Sequence, residues 1–177
     1  MSPASVPEPW LRGPIEGVPA VLQPAAHAFQ MTSEDCATVG ASLTDVDLWT
    51  RPGGAASLGF HLQHIVGATD RLLTYARGEQ LNDAQKTAMR AEGTPGHLGS
   101  TPEALIAAVQ QSMASAIDVL RRTPPESVTD VRGVGRAGLP TTVLGLLFHA
   151  AEHSQRHAGQ LTTTAKIVLA ERPARTE

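Results

Sequence analysis

The chain has 177 residues, enough for one domain with a substantial core. Its net charge of -3 and pI near 6.1 leave no basic footprint for nucleic acid, and no basic amphipathic segment points to a membrane surface. Aromatic residues make up only 3% while alanine, leucine and valine are plentiful, a composition that suits closely packed helices better than a sheet, so the expected class is mainly α.

Residues 1–19 carry Pro3, Pro7, Pro9, Pro14 and Pro19 with Gly13 and Gly17, which forbids a regular helix and predicts an extended arm anchored by Trp10 and Leu11. This start contains no apolar stretch of signal-peptide type, and no run of about 18 apolar residues occurs in the chain. The single Cys36 excludes an intramolecular disulfide framework and fits a reducing compartment, so a cytoplasmic location is expected.

The first long helix is expected over about 21–42, with Val21, Ala25, Ala28, Thr32, Cys36 and Val39 along its inner side and His27 and Gln30 close to it, His27 being either a surface histidine or an extra polar lining residue. Thr44, followed by Asp45 and Asp47, reads as an N-cap for a short turn before Arg51-Pro52-Gly53-Gly54 breaks the chain. Ser57 caps a second helix that runs to about Ala76 and stops at Gly78. Residues 79–100 form a polar connection whose start can be helical. Thr101-Pro102-Glu103 opens a third helix reaching about Arg122, with no histidine or carboxylate cluster on its stripe. Residues 123–140 read as a loop whose Arg132 and Arg136 are either solvated or placed to meet an anion. Thr141 caps a fourth helix to about Ala170, leaving residues 171–177 as a disordered tail. The domain plan is thus an arm at 1–19, a bundle at 20–170 and that tail.

The fourth helix carries the chemistry. His149, His153 and His157 are spaced four apart and form an imidazole column, and His153, His157 and Gln160 share a stripe with Leu146, Ala150 and Leu161. Unpaired buried imidazoles are costly, whereas neutral imidazole is a common ligand for borderline metals, so an inward column points to an ion held inside a bundle. The second helix contributes His61 and His64. The wheel places His61 nearer the centre of its apolar stripe, so periodicity alone picks His61, yet a bundle helix touches two neighbours and buries a wide arc, which keeps His64 open as the further ligand. No H-E-x-x-H occurs, so a zincin protease is unsupported.

Taken together, Gly59-Phe60-His61-Leu62-Gln63-His64-Ile65 on the second helix and His149-x-x-x-His153-x-x-x-His157-x-Gly159-Gln160 on the fourth resemble the DinB/YfiT-like family over roughly residues 20–170. The resemblance implies an all-α, up-and-down four-helix bundle, often a homodimer, with one divalent ion held by three histidines. Carried over, the pair on the last helix is His153 and His157. The pattern following His64, with Asp70 six residues on, makes His64 the third ligand, with His61 and His149 nearby but unbound. The proline-rich arm is not part of the family pattern.

Three imidazoles on zinc or nickel leave open positions, the arrangement of catalytic rather than structural sites. The resemblance extends this to S-transfer with a low-molecular-weight thiol such as bacillithiol or mycothiol, in which Arg132 and Arg136 hold the thiol's acidic groups. The expected partner is a small-molecule substrate. Metal-dependent hydrolysis and non-catalytic metal or small-ligand binding are the competing readings. No general base stands out, since Glu152 lies about 100° off the histidine line and Gln160 cannot act as one.

Overall fold

The computed structural model describes residues 6–172. In these residues α1 (Gln23–Gly40), α3 (Leu58–Ala76), α5 (Pro102–Arg122) and α6 (Val143–Ala170) are long helices, while α2 (Asp45–Leu48) and α4 (Asp83–Ala91) are short. Two four-residue strands, β1 (Val131–Val134) and β2 (Leu139–Thr142), pair antiparallel with Val131 opposite Thr142. The four long helices form the expected bundle. Each packs on two neighbours, in the ring order α1, α6, α3, α5, so α3 and α6, which carry the histidines, lie side by side.

The helix starts follow their caps. The Ser57 hydroxyl accepts from the Phe60 N–H, and that of Thr101 accepts from the Ala104 N–H. For α6 the cap is Thr142, the last residue of β2, accepting from the Gly145 N–H at 3.0 Å, and not Thr141, which lies one residue further from the helix. The segment read as a loop folds as a hairpin: β-branched Val131, Val134, Thr141 and Thr142 flank a turn in which Gly135 and Gly138 take φ of 67° and 61°. Two strands of four residues are too short to give a legible period.

The core is aliphatic, centred on Leu22, Phe29, Leu62, Ile65, Met113, Leu147 and Leu161. On α1 the inner face is rotated from the expected stripe: Ala25, Thr32 and Cys36 are buried as expected, but Phe29 joins them and Val21 is exposed. The 3-10 turn Ala20–Leu22 that precedes α1 sends Leu22 inward in place of Val21. Gly40 allows α1 to approach α5, since a methyl group there would strike the Ile106 side chain.

The described part of the arm is held by polar contacts and by Val18 and Ile15 at the core, not by Trp10 and Leu11. Trp10 and Leu11 are exposed, whereas the Gln23 amide donates to the Ile15 and Val18 carbonyls and Arg12 pairs with Glu34 at 2.7 Å. His27 Nε2 lies 3.0 Å from the Gly13 carbonyl oxygen. At the other end, Arg172 is fixed to the buried carboxylate of Asp47, its Nε donating at 2.9 Å, so the chain is tied down two residues into the expected tail. Residues 173–177 lie outside the described residues.

Candidate metal centre

Where α3 faces α6, four imidazoles meet. His64 Nε2 and His153 Nε2 are 3.0 Å apart, and His61 Nδ1 and His157 Nδ1 are also 3.0 Å apart. One ring nitrogen from each of His64, His153 and His157 falls within 4.8 Å of the other two. His61 is the more deeply buried of the α3 pair, as the helical wheel indicates, but His64 is the one that joins the three-nitrogen group. Burial and convergence are separate properties here. The helix that buries His61 against α6 presents His64 one turn later on the rim of the same interface.

The register that aligns the rings is fixed just below them. Thr69 and Ser154 share a buried hydroxyl–hydroxyl bond of 3.0 Å across α3 and α6, and the Ser154 hydroxyl reaches the Ala150 carbonyl at 2.7 Å. On the outer side Phe60 lies over His64, ring centroids 5.2 Å apart and planes 16° from parallel.

The electrostatics favour neutral rings. Burial pushes His61 and His153 down to about 4 and His157 down to about 3, and repulsion from His64 adds to each. At neutral pH these three imidazoles therefore offer lone pairs.

His64 is oriented by a residue from an unexpected place. Its Nδ1 lies 2.7 Å from the Glu92 carboxylate, which also pairs with Arg71. Burial pushes the Glu92 carboxyl up, but the bonds from His64 and Arg71 outweigh it and hold it below the usual range. A carboxylate can only accept, so His64 Nδ1 carries a hydrogen, and in the neutral ring the Nε2 lone pair points at His153. In the same way a hydrogen on His157 Nδ1, shared with His61 Nδ1, leaves the Nε2 of His157 free.

These residues fit a divalent ion. Two imidazole nitrogens ligating one ion at about 2.1 Å stand roughly 3.0–3.4 Å apart for angles between 90° and tetrahedral, and the His64–His153 separation of 3.0 Å matches. A shared proton relieves lone-pair repulsion between two rings, whereas one cation satisfies three at once. His153 Nδ1 is buried without a hydrogen-bond partner, which is consistent with a ring whose placement is governed by its other nitrogen.

The remaining expected residues lie elsewhere. His149 is half-exposed and its Nδ1 is 2.7 Å from Glu152, which in turn binds Arg156; it does not point inward with the others. Steps of four residues drift about 40° each around a helix, so from His157 back to His149 the column turns by about 80° and leaves the interface. Gln160 is exposed for a similar reason. Arg132 lies at the far end of α3, its Nε donating to the Ala76 carbonyl. Ala76 is twelve residues beyond His64, about 18 Å along the helix axis. The arginine loop therefore does not cover the histidines.

Sequence reasoning missed Glu92, which sits just past α4 in the segment read as a connection. One signal was present. Gly67, in the middle of α3 and three residues after His64, is costly there unless space is needed. A methyl group at Gly67 would fall on the Glu92 carboxylate.

A family model described as the DinB superfamily matches residues 18–161. The chain belongs to the DinB superfamily. Among solved structures, a conserved protein from Enterococcus faecalis superposes with a TM-score of 0.66 at 18% identity, covering 85% of this chain and 98% of its own. A DinB-like protein from Bacillus cereus gives a TM-score of 0.63 at 16% identity, covering 86% and 95%. At these identities the likeness shows the fold of the superfamily member. No curated protein matches the chain. Among the described residues, no helix is long and apolar enough to cross a membrane.

Proposed function

We propose that this DinB-superfamily protein is a divalent-metal-dependent enzyme whose ion, zinc or nickel, is held by His64, His153 and His157. The observation that carries the reading is three partly exposed histidines whose ring nitrogens converge, with no fourth His, Cys, Asp or Glu donor in the group among the described residues. Structural sites are closed by four protein ligands, and a three-ligand site keeps positions for a reactant. When bound there, the ion supplies Lewis acidity that lowers the pKa of a ligated thiol or water. The chain's own residues orient and shield: Glu92 holds His64, His61 holds His157, and Phe60 covers one side of His64.

The reaction supported best is transfer of a low-molecular-weight thiol to an electrophilic small molecule. The thiol loses its proton to water at the open side, its sulfur forms a bond to carbon, and the leaving group departs with its electron pair. Metal-loaded protein is assayed with bacillithiol, mycothiol and glutathione against an electrophilic test compound, with His153→Ala and His157→Ala as controls. Thiol-dependent turnover that exceeds both variants is expected. Equal rates in all three proteins overturn the transferase reading.

One observation favours a second reading, metal or small-ligand binding without turnover. Both nearby carboxylates are already engaged, Glu92 by His64 and Arg71 and Glu152 by His149 and Arg156, which leaves no free general base beside the cluster. Stoichiometric metal without turnover on any thiol or on ester substrates would establish that reading.

A further inference from the structure

The arginine of the hairpin helps to build a different place. Where α3 and α5 end and α6 begins, a cavity of about 390 Å³ opens, within the size range of small-molecule pockets. Val119, Val143 and Leu147 form an apolar wall, and Arg77, Arg122 and Arg132 enter from three separate elements. In a chain with 14 basic side chains and a net charge of -3, this is a local concentration of positive charge.

Helix ends explain part of it. A basic residue near the C-terminus of α3 and another at the end of α5 complement the negative carbonyl ends of those helices. Arg132, from β1, also donates its Nε to the Ala76 carbonyl at the end of α3, but helix ends do not explain why all three line one cavity. The nearby acids leave a positive surplus: Glu79 pairs with Arg77 at 3.0 Å, and the half-exposed Asp130 is 3.6 Å from Arg132. Among the described residues Arg122 has no ion-pair partner for its five N–H donors.

We propose that this cavity binds a small amphiphilic anion, a carboxylate or phosphate monoester on a short apolar chain. The head group meets Arg122, flanked by Arg77 and Arg132, and the chain lies on Val119, Val143 and Leu147. The site is separate from the histidine cluster, so occupancy does not depend on the metal.

Isothermal titration of the full chain with hexanoate, hexyl phosphate, inorganic phosphate and hexanol tests this. Saturable binding of one equivalent of hexanoate or hexyl phosphate is expected, and which of the two binds tells carboxylate from phosphate. Arg122→Ala, at an exposed position, is expected to weaken that binding by about tenfold or more while leaving melting temperature and metal content unchanged. His153→Ala is expected to leave it intact. Three results overturn the proposal: no saturable binding of either anion up to about 10 mM, equal binding of hexanol, or an Arg122→Ala affinity equal to wild type. Inorganic phosphate binding as tightly as hexyl phosphate removes the apolar wall from recognition and overturns the amphiphile assignment.

Discussion

Replacing Glu92 by glutamine tests whether the metal centre extends beyond its three histidines. The substitution keeps the size and one acceptor oxygen for His64 Nδ1, but it removes the charge shared with Arg71, whose side chain is only 11% exposed beside a carboxylate 5% exposed. Removing one partner of a fully buried ion pair costs about 3–5 kcal/mol; the retained amide acceptor and the partial exposure of Arg71 reduce this to about 1–3 kcal/mol of folding stability. The second effect is specific to the ion. Loss of a carboxylate behind a ligating histidine lowers metal affinity by about 10–100-fold, equivalent to about 1.4–2.7 kcal/mol. Competition with a chromophoric chelator at neutral pH measures affinity, and thermal melting with and without chelator separates the two losses. Gly67→Ala is the companion variant. It keeps the charge but places a methyl group on the Glu92 carboxylate, so it should weaken metal binding in the same direction despite the better helix propensity of alanine. A Glu92→Gln protein that binds metal within twofold of wild type, while melting lower by the same amount with and without chelator, would refute the orienting role.

His153→Ala and His157→Ala should each reduce bound metal far below one ion per chain after purification without chelator, measured by elemental analysis, whereas His149→Ala should retain it because His149 pairs with Glu152 outside the cluster. The metal-free protein should lose stability on acidification. The unfolded imidazoles take up protons near 6.5 but the folded ones only near 4 for His61 and His153 and near 3 for His157, so the unfolded chain binds more protons in between. Stability is then complete above pH 6.5 and falls as the pH drops from there toward 4, and a flat urea midpoint between pH 7 and pH 4.5 would contradict this. Asp47→Ala should lower stability by about 1–3 kcal/mol, since the buried carboxylate closes a capping box with Thr44 and binds Arg172, and chemical denaturation reads the change. Cys36 is buried and its thiol is pushed up to about 12 by burial, so a thiol reagent should label it only under denaturing conditions, and rapid labelling of the native protein would count against the packing of α1.

Local chemistry made much of this molecule legible. Ser57 and Thr101 mark helix starts because a hydroxyl that accepts an orphan backbone N–H is a property of a few adjacent residues. The pair His153 and His157 was legible because four residues return to the same helix face. Long-range facts were not. The inner face of α1 depends on a preceding turn that rotates the helix, and the placement of Arg132 depends on a hairpin docked near the end of α3. Glu92 lies 28 residues from His64 in the chain, so its contact is set by how the α3–α5 connection folds back, and no period in the sequence reports that.

That fold-back is itself controlled from the helix that carries His64. Gln63, the residue before His64, is fully buried; its amide donates to the carbonyls of Glu92 and Thr94 and its oxygen accepts from the Leu98 N–H. Adjacent side chains of one helix therefore perform two coupled tasks, one clasping the backbone of the connection and the other receiving the carboxylate it delivers. The connection and α3 form a single cooperative unit, so ion binding at His64 should slow hydrogen exchange at the Leu98 amide, on a chain segment that carries none of the three histidines.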